Sequence, residues 1–598
     1  MSTSEKGDQL PLVQSSSPQP LPRPKSKIRI ALKHIIPLSL VIIYYSFIAP
    51  LSLSPIRPYS QVEVAAKESA RCPVQPPVIN IGNDWDVVND HEYASLATKR
   101  LSRAVQINTE SYDNFPKNAS DPIFDKHYEF SHYLSYEFSK LFKEPIKYEN
   151  VNVHGHLFTW EGKNKNLKPI LLMAHTDTVP VLPATLDQWS YPPFEGKVTV
   201  NATQETPGTW IWGRGVSDCK NTLLAIYGSL ERLVTEGYEP ERTIIVANGF
   251  DEEASPIFDH LPDMGIGLTG SGHISEVLLK RYGPDGIAFL VDEGFTGISN
   301  DYGATVASFG MAEKGSVNVN VKVKTLGGHS SVPPPHTASR FNSIGIISLL
   351  LAELEAHPFK PTLSPQSPFL KSLNCLADYA PEFPKSIKHE LKDPRQWDQL
   401  AQQLAKKDRV LNSFLATTQA IDLINGGVKV NALPEVVDAT VNYRISFTSS
   451  VNETLSHVAQ VLRPLAKRLG YTISVFDEPH SSHHENSTSH ITLSVPGGLS
   501  LEPAPITSDR TKSFALLGGT AKAVFGNDTI ASPSGMFANT DTRWFWNLTS
   551  DLYRFTPTLI TENLNQHTVN ERISLEGHLN ATRYFYKLLR NLEGWDAE

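Results

Sequence analysis

Between residues 85 and 312 the chain repeats one pattern, a short apolar run that ends in ionisable residues. "PILLMAHTDT" (169–178), "RTIIVANGFDEE" (242–253) and "GIAFLVDEG" (286–294) all follow it. Continuous apolar runs of this length, closed by charged or turn-forming residues, predict buried strands. "NTLLAIYGSLERLVTEG" and "GHISEVLLKRYG" lie between them and carry helical spacing. Strands alternating with helices predict an α/β domain built on a mostly parallel central sheet. Such sheets collect their chemistry at the carboxyl ends of the strands, which is where these runs place their ionisable residues.

After residue 312 the pattern changes. "SVNVNVKVKTLGGHSS" and "GGVKVNALPEVVDATVNYRISF" alternate apolar and polar positions as half-exposed strands do, and "SVNETLSHVAQVLRPLAKRLG" returns to helical spacing. This predicts a second, α+β domain inserted into the first over residues 313–480. The Pro-rich "HPFKPTLSPQSPFLKSL" reads as an elaboration of the insert. "DEPHSSHHENSTSH" reads as an exposed loop, assigned with its surroundings to residues 481–504. The first domain, begun over residues 85–312, is expected to resume over 505–598.

The N-terminal pattern is different again. Residues 1–27 are polar and rich in Ser, Pro and Gln, the composition of a disordered tail. Residues 28–51 contain "IIPLSLVIIYYSFIAPL", at the short end of the ~17–25 residues that span a bilayer. Arg23, Lys25, Lys27, Arg29 and Lys33 precede or open it, which predicts a single-pass type II anchor with the tail in the cytosol. A cleaved signal peptide would need a small-x-small site, and "FIAPLSLSPIR" is a poor one. Residues 52–84 then form a linker on the lumenal side. N-x-S/T sequons at Asn118, Asn201, Asn452, Asn486, Asn527, Asn547 and Asn580 point to the same side, because only there would they be glycosylated.

Composition adds limits. At 598 residues the chain exceeds what one core usually supports, in keeping with two domains. A net charge of −9 gives no electrostatic footprint for nucleic acid. Cys72, Cys219 and Cys375 cannot all pair with one another and no CxxC occurs, so neither a disulfide scaffold nor a cysteine zinc site is expected. A single Cys72–Cys375 bridge stays open.

The strand ends carry the candidate chemistry: His175 and Asp177; Asp218 in the Gly-rich "WGRGVSDCK"; Asp251, Glu252 and Glu253; Asp292 and Glu293. His567 of "LNQHTVNERI" joins them from near the C-terminus. Taken singly, each is an ordinary surface feature. The α/β pattern delivers them to one face, where so many carboxylates repel unless a cation neutralises them. Histidine and carboxylate donors without a thiolate suit Zn²⁺, with Co²⁺ or Mn²⁺ as substitutes. His175 would then bind metal, with Asp177 orienting it or a neighbouring ligand.

"MAHTDTVPV", "GRGVSDCK", "DEE", "VDEG", "GGHSS", "ANTDTR" and "QHTVNE" occur in this order. Over roughly residues 85–598 the chain resembles the zinc-dependent aminoacylase and carboxypeptidase clan of metallopeptidases, most of all its fungal vacuolar carboxypeptidase S (Gly-X) branch. The resemblance implies a di-zinc exopeptidase domain with an inserted lid or dimerisation domain. Two zinc ions per subunit would share Asp218. His175 and Asp292 would complete one site, Glu253 and His567 the other. Asp177 would support His175, and Glu252 would be the general base. His329 of "GGHSS" would stabilise the oxyanion, commonly from a partner subunit of a homodimer. Asn431 and Arg444 would hold the substrate's free α-carboxylate, with Asn539 and Thr540 as the opposite wall. The function so implied is removal of C-terminal residues from short peptides, by a protein anchored in the vacuolar membrane with its catalytic part in the lumen. An amidohydrolase of N-acyl amino acids shares the chemistry and differs in its acyl pocket. A non-catalytic, membrane-tethered binding ectodomain is the alternative from another class. A two-metal phosphoesterase does not fit the "GGHSS" and "VNALP…NYR" elements.

Overall fold

The computed structural model describes residues 61–596, apart from 83–84, 114, 117, 204–205, 255–266, 295–296, 335–341 and 477–488. The expected membrane anchor and tail lie outside the described residues. Among these, no helix is long and apolar enough to cross a membrane.

The apolar runs form the centre of a nine-stranded sheet. Its order is Ile146–Val151, Gly155–Trp160, Ile244–Asn248, Ile170–Met173, Phe289–Asp292, Leu552–Arg554, Ala304–Glu313 and Ile530–Met536, with Ile298–Asp301 paired beside Ala304–Glu313. Alternation along Ile170–Met173 explains its burial on both sides. Ile170 and Leu172 enter the core shared with helices Asn221–Thr235 and Leu575–Arg590, whereas Leu171 and Met173 enter the one shared with helix His273–Tyr282.

The sheet is mixed, where a mostly parallel one was expected. Ile244–Asn248, Ile170–Met173, Phe289–Asp292 and Leu552–Arg554 run parallel. Ile146–Val151 and Gly155–Trp160 are antiparallel, because three residues join them and a parallel pair needs a crossover of a dozen or more. Leu552–Arg554 also meets Ala304–Glu313 antiparallel.

Ala304–Glu313 continues through Lys314 into Gly315–Lys324, the middle strand of a second sheet. That sheet runs Thr418–Gly426, Val436–Ile445, Gly315–Lys324, His490–Ser494 and Thr472–Val475. Strict alternation buries Val317, Val319, Val321 and Val323 against helices Ser343–Ala356 and Val451–Arg468. The opposite face carries Asn318, Asn320, Asn442 and Arg444, which are half-buried.

The Pro-rich segment leads into helices Pro368–Tyr379, Lys385–Leu391, Trp397–Lys407 and Arg409–Leu415. Their apolar faces share a core with Val306, Ala312 and Ile530 of the large sheet, so they cap its edge. Cys72 and Cys375 form a disulfide there, closing the bridge that the sequence leaves open.

Candidate metal centre

Three strand ends and two loops converge beyond the carboxyl edge of the parallel strands. His175 follows Ile170–Met173. Its Nδ1 lies 3.0 Å from the Asp177 carbonyl oxygen and its Nε2 3.1 Å from Asp218 Oδ1. Glu252 Oε2 is 3.9 Å from the same nitrogen.

Asp218 sits on the segment between strand Thr209–Trp212 and helix Asn221–Thr235, after a cramped turn. Gly215 there has φ 81°, and a Cβ would meet Thr178 Cγ2 at 2.3 Å, so only glycine fits. The Asp218–Cys219 peptide is cis. Glu571 fixes the segment: its carboxylate accepts from Arg214 Nη1 (2.6 Å) and from the amides of Gly215 (3.0 Å), Ser217 (2.9 Å) and Asp218 (3.2 Å).

Glu252 and Glu253 follow Ile244–Asn248, and both amides donate to the Asp177 carboxylate, at 3.2 and 3.0 Å. Ser111 Oγ donates to the same carboxylate at 2.5 Å. Asp177 therefore sets two strand ends at once. His567 enters from the loop before strand Arg572–Ser574, with φ 59°, and its Nε2 is 3.1 Å from both Asp218 Oδ2 and Glu253 Oε1. Asp292 closes strand Phe289–Asp292. One of its oxygens accepts from the Glu293 amide, and the other is buried without a partner among the described residues.

Asp218 thus offers one oxygen to each imidazole. Donor atoms come within 4.8 Å of one another in the sets His175–Glu252–Glu253, Asp218–Glu253–His567 and His175–Asp218–Cys219. Asp292 stands outside these sets. Asp251 turns elsewhere, accepting from the amides of Thr269 and Gly270, and so braces a neighbouring loop.

Electrostatics define what the centre wants. Burial, then the like charge of Glu253 among others, pushes Glu252 well above the usual carboxylate range. Burial raises Asp292 to about 7. Burial opposes the charge of Asp218 as well, but bonds to His175 and His567 outweigh it and hold this carboxyl low. The same bonds to Asp218 and Glu253 overcome burial at His567 and raise it to about 11. So dense a carboxylate group holds protons on several members unless cations replace them. That property, with the unpartnered Asp292 oxygen, fits a metal centre.

The expected substrate residues fall into two places. Arg444 Nη1 donates to Asn539 Oδ1 at 2.6 Å, and Asn539 Nδ2 donates to the Lys314 carbonyl at 2.6 Å. Thr540 is buried, its hydroxyl 2.9 Å from Thr542 Oγ1. His329 and Asn431 lie together elsewhere, on an exposed ribbon where Gly328–His329 pairs with Ala432–Leu433 and the Ser330 amide donates to the Asn431 carbonyl at 3.2 Å. The His329 ring contacts Ser331 Oγ at 2.7 Å, and the ribbon makes no hydrogen bond to the carboxylate cluster among the described residues.

Residues 171–591 match the family model for peptidase family M20/M25/M40. The chain belongs to this family. It is 37% identical over 520 residues to carboxypeptidase S of Saccharomyces cerevisiae, covering 85% of this chain and 86% of the relative. It is also 31% identical over 501 residues to mouse N-fatty-acyl-amino acid synthase/hydrolase PM20D1, covering 82% and 87%. Among solved structures it resembles the M20 family metallo-carboxypeptidase Sso-CP2 of Sulfolobus solfataricus. The TM-score is 0.51 at 16% identity, with coverage of 83% and 99%, a likeness of fold.

The protein is therefore an M20 peptidase, a hydrolase of a metal-dependent family. Two residues that shape the centre were not singled out from the sequence. Ser111 lies far from any motif. Glu571 ends the quoted "QHTVNE", and its spacing from His567 is the signal that could have singled it out.

Proposed function

We propose that the protein is a metal-dependent carboxypeptidase that removes the C-terminal residue from short peptides. The observation that carries this reading is Asp218 held between two imidazoles at 3.1 Å, with Glu252 and Glu253 alongside. Asp218 would serve two zinc ions, His175 and Asp292 belonging with one and Glu253 and His567 with the other. When bound, the ions supply Lewis acidity that polarises the scissile carbonyl and makes water acidic enough to attack near neutral pH.

The remaining work falls to the chain. Glu252 takes the proton of the attacking water and delivers it to the leaving nitrogen as the C–N bond breaks. Asp177 fixes the backbone beneath Glu252, so that this carboxylate and its metal-binding neighbour hold separate directions. The Arg444 guanidinium matches a free α-carboxylate through two parallel charge-assisted bonds, with Asn539 holding its orientation. His329 would stabilise the oxyanion from a second copy. Its exposed ribbon, and the outer strand Thr418–Gly426 that precedes it in the chain with Leu423 and Ile424 exposed, support a homodimer.

A type II, vacuole-like lumenal location is supported by the Cys72–Cys375 disulfide, which belongs to oxidising compartments. Sequon residues Asn118, Asn201, Asn452, Asn527 and Asn547 are all exposed. The likeness to mouse N-fatty-acyl-amino acid synthase/hydrolase PM20D1 favours a second reading, hydrolysis of N-acyl amino acids by the same centre.

Metal content and hydrolysis of an N-blocked Gly-Leu and an N-acyl leucine, measured on one preparation, test these readings. Glu252→Gln should keep its metals and lose about 10²–10⁴-fold in rate. Glu253→Gln should lose metal. A metal-depleted Glu252→Gln beside a fully loaded Glu253→Gln would exchange the two roles, and a wild type inert toward the dipeptide would end the carboxypeptidase reading.

A further inference from the structure

Lys314 is the single residue between the strand Ala304–Glu313 of the large sheet and Gly315–Lys324 of the inserted one. Its side chain is buried, with 1% of the residue exposed. The ammonium donates to the carbonyls of Ser413 (3.1 Å) and Ala416 (2.8 Å) and to Thr418 Oγ1 (3.3 Å). All three partners are neutral, and no carboxylate forms an ion pair with it among the described residues. A buried cation held only by neutral oxygens costs stability that an apolar side chain would not.

What Lys314 does face is a second cation. Thr418, which the Lys314 ammonium bonds, pairs across the sheet with Arg444; the main-chain carbonyl of Lys314 holds Asn539, Asn539 holds Arg444, and the charge of Arg444 acts on the ammonium. The acids nearby are occupied or remote. The Glu313 carboxylate is bonded to Arg554 and Thr542; its charge and that of Asp422 are felt at Arg444, but neither carboxylate forms an ion pair with Arg444 or Lys314 among the described residues. From helix Arg409–Leu415 and its cap the ammonium meets the carbonyls of Ser413 and Ala416, while the carboxylate of Asp408 at the other end of that helix accepts from the amides of Val410 and Leu411.

We propose that Lys314 is a positioning residue for the substrate's α-carboxylate, its buried charge joining that of Arg444 so that the incoming carboxylate supplies the directly bonded anion that neither cation has among the described residues. The proposal rests on the reading of Arg444 as the carboxylate anchor. Burial first, and then Arg444, pushes the Lys314 ammonium down to about 7. An anion placed beside Arg444 pulls it back up, so carboxylate binding and protonation of Lys314 favour each other. Free-acid peptides should therefore bind best below pH 7 and more weakly as the pH rises through it. A peptide carboxylate with a blocked N-terminus does not itself titrate there.

The test follows KM and kcat from pH 5.5 to 8.5 for N-blocked Gly-Leu, together with the inhibition constant of its C-terminal amide. The metal-loaded wild type, Lys314→Arg, Lys314→Met and Arg444→Lys are compared. The wild-type KM should rise at least about fivefold across pH 7, the low end of coupling between sites, while the amide's constant stays flat. Lys314→Arg should flatten the profile at the low KM, and Lys314→Met at the high one, with kcat little changed in both. Should Lys314→Met not fold, Lys314→Arg decides alone. A wild-type pH slope retained in the Lys314 variants, with Arg444→Lys still selective for the free acid, would overturn this proposal only. An Arg444→Lys that weakens acid and amide equally would bring down the carboxylate reading and this proposal with it.

Discussion

Glu571 shows how much of the centre is set by a side chain that need touch no substrate. It collects one guanidinium and three backbone amides, and so fixes the path of the chain on which Asp218 stands. Glu571→Gln presents an amide group to donors and leaves the Arg214 charge buried without its partner. A loss of about 3–5 kcal/mol is expected, seen as a lowered melting temperature together with weaker metal retention. A variant that melts like the wild type would mean that the loop is held by other contacts. His175, Glu252 and Glu253 stood out in the sequence because a histidine or carboxylate at the end of an apolar run is out of place, and Asp218 because it sits in a Gly-rich turn before a helix. Glu571 and Ser111 were not, since their partners are backbone amides or a distant carboxylate, which leave no periodic trace. His329 was read as an oxyanion donor from a partner subunit, and no single-chain pattern says what its exposed strand Gly328–His329 would face.

Among elements, the helix Asp125–Glu137 brings His127, and the turn before the strand Gly155–Trp160 brings His154, against Phe124 and Phe250, while His156 of that strand lies against Tyr148 and Phe158. Burial pushes His127 down to about 3 and His156 to about 4, and lowers His154 as well. His127 has no hydrogen-bond partner on either ring nitrogen among the described residues, although Asp177 and Lys220 lie within electrostatic reach. The sign is fixed by the neutral form being the folded one. Above pH 6.5 both folded and unfolded chains keep these rings neutral, and below it only the unfolded chain takes up protons. Stability should then fall as the pH drops from 6.5, by about 1.4 kcal/mol at pH 5.5 for each of His127 and His156. His127→Phe, which fits the aromatic surroundings, should remove its share of that slope in melts compared at pH 7.5 and 5.5. An unchanged slope would place the acid sensitivity elsewhere. The central strands were legible from apolar runs alone. Their mixed directions were not, because direction depends on connection length and on partners remote in sequence, such as Leu552–Arg554.

For the molecule as a whole, the alternating strands of the insert gave away a second sheet, whereas the helices from Pro368 to Leu415 carry no mark of which sheet they cover. The disulfide that fastens those helices to Cys72 spans 303 positions of sequence. Under tension its meaning is topological. A pull applied at the two ends of the chain passes from Cys72 straight to Cys375, and the intervening loop bears none of it. His175, Asp218, Glu252, Glu253 and Asp292 lie inside that shielded loop, and His567 lies outside. Stretched singly between its ends, the oxidised protein should give up its fold with about 1,000 Å of contour withheld, at roughly 3.3–3.6 Å per residue, and release that length only after a reductant is added. Full extension without reductant would show the bond to be open. A mechanical load would thus unseat His567 and leave the remainder of the centre's chain slack, so that the bond acts as a strain relief built around the chemistry.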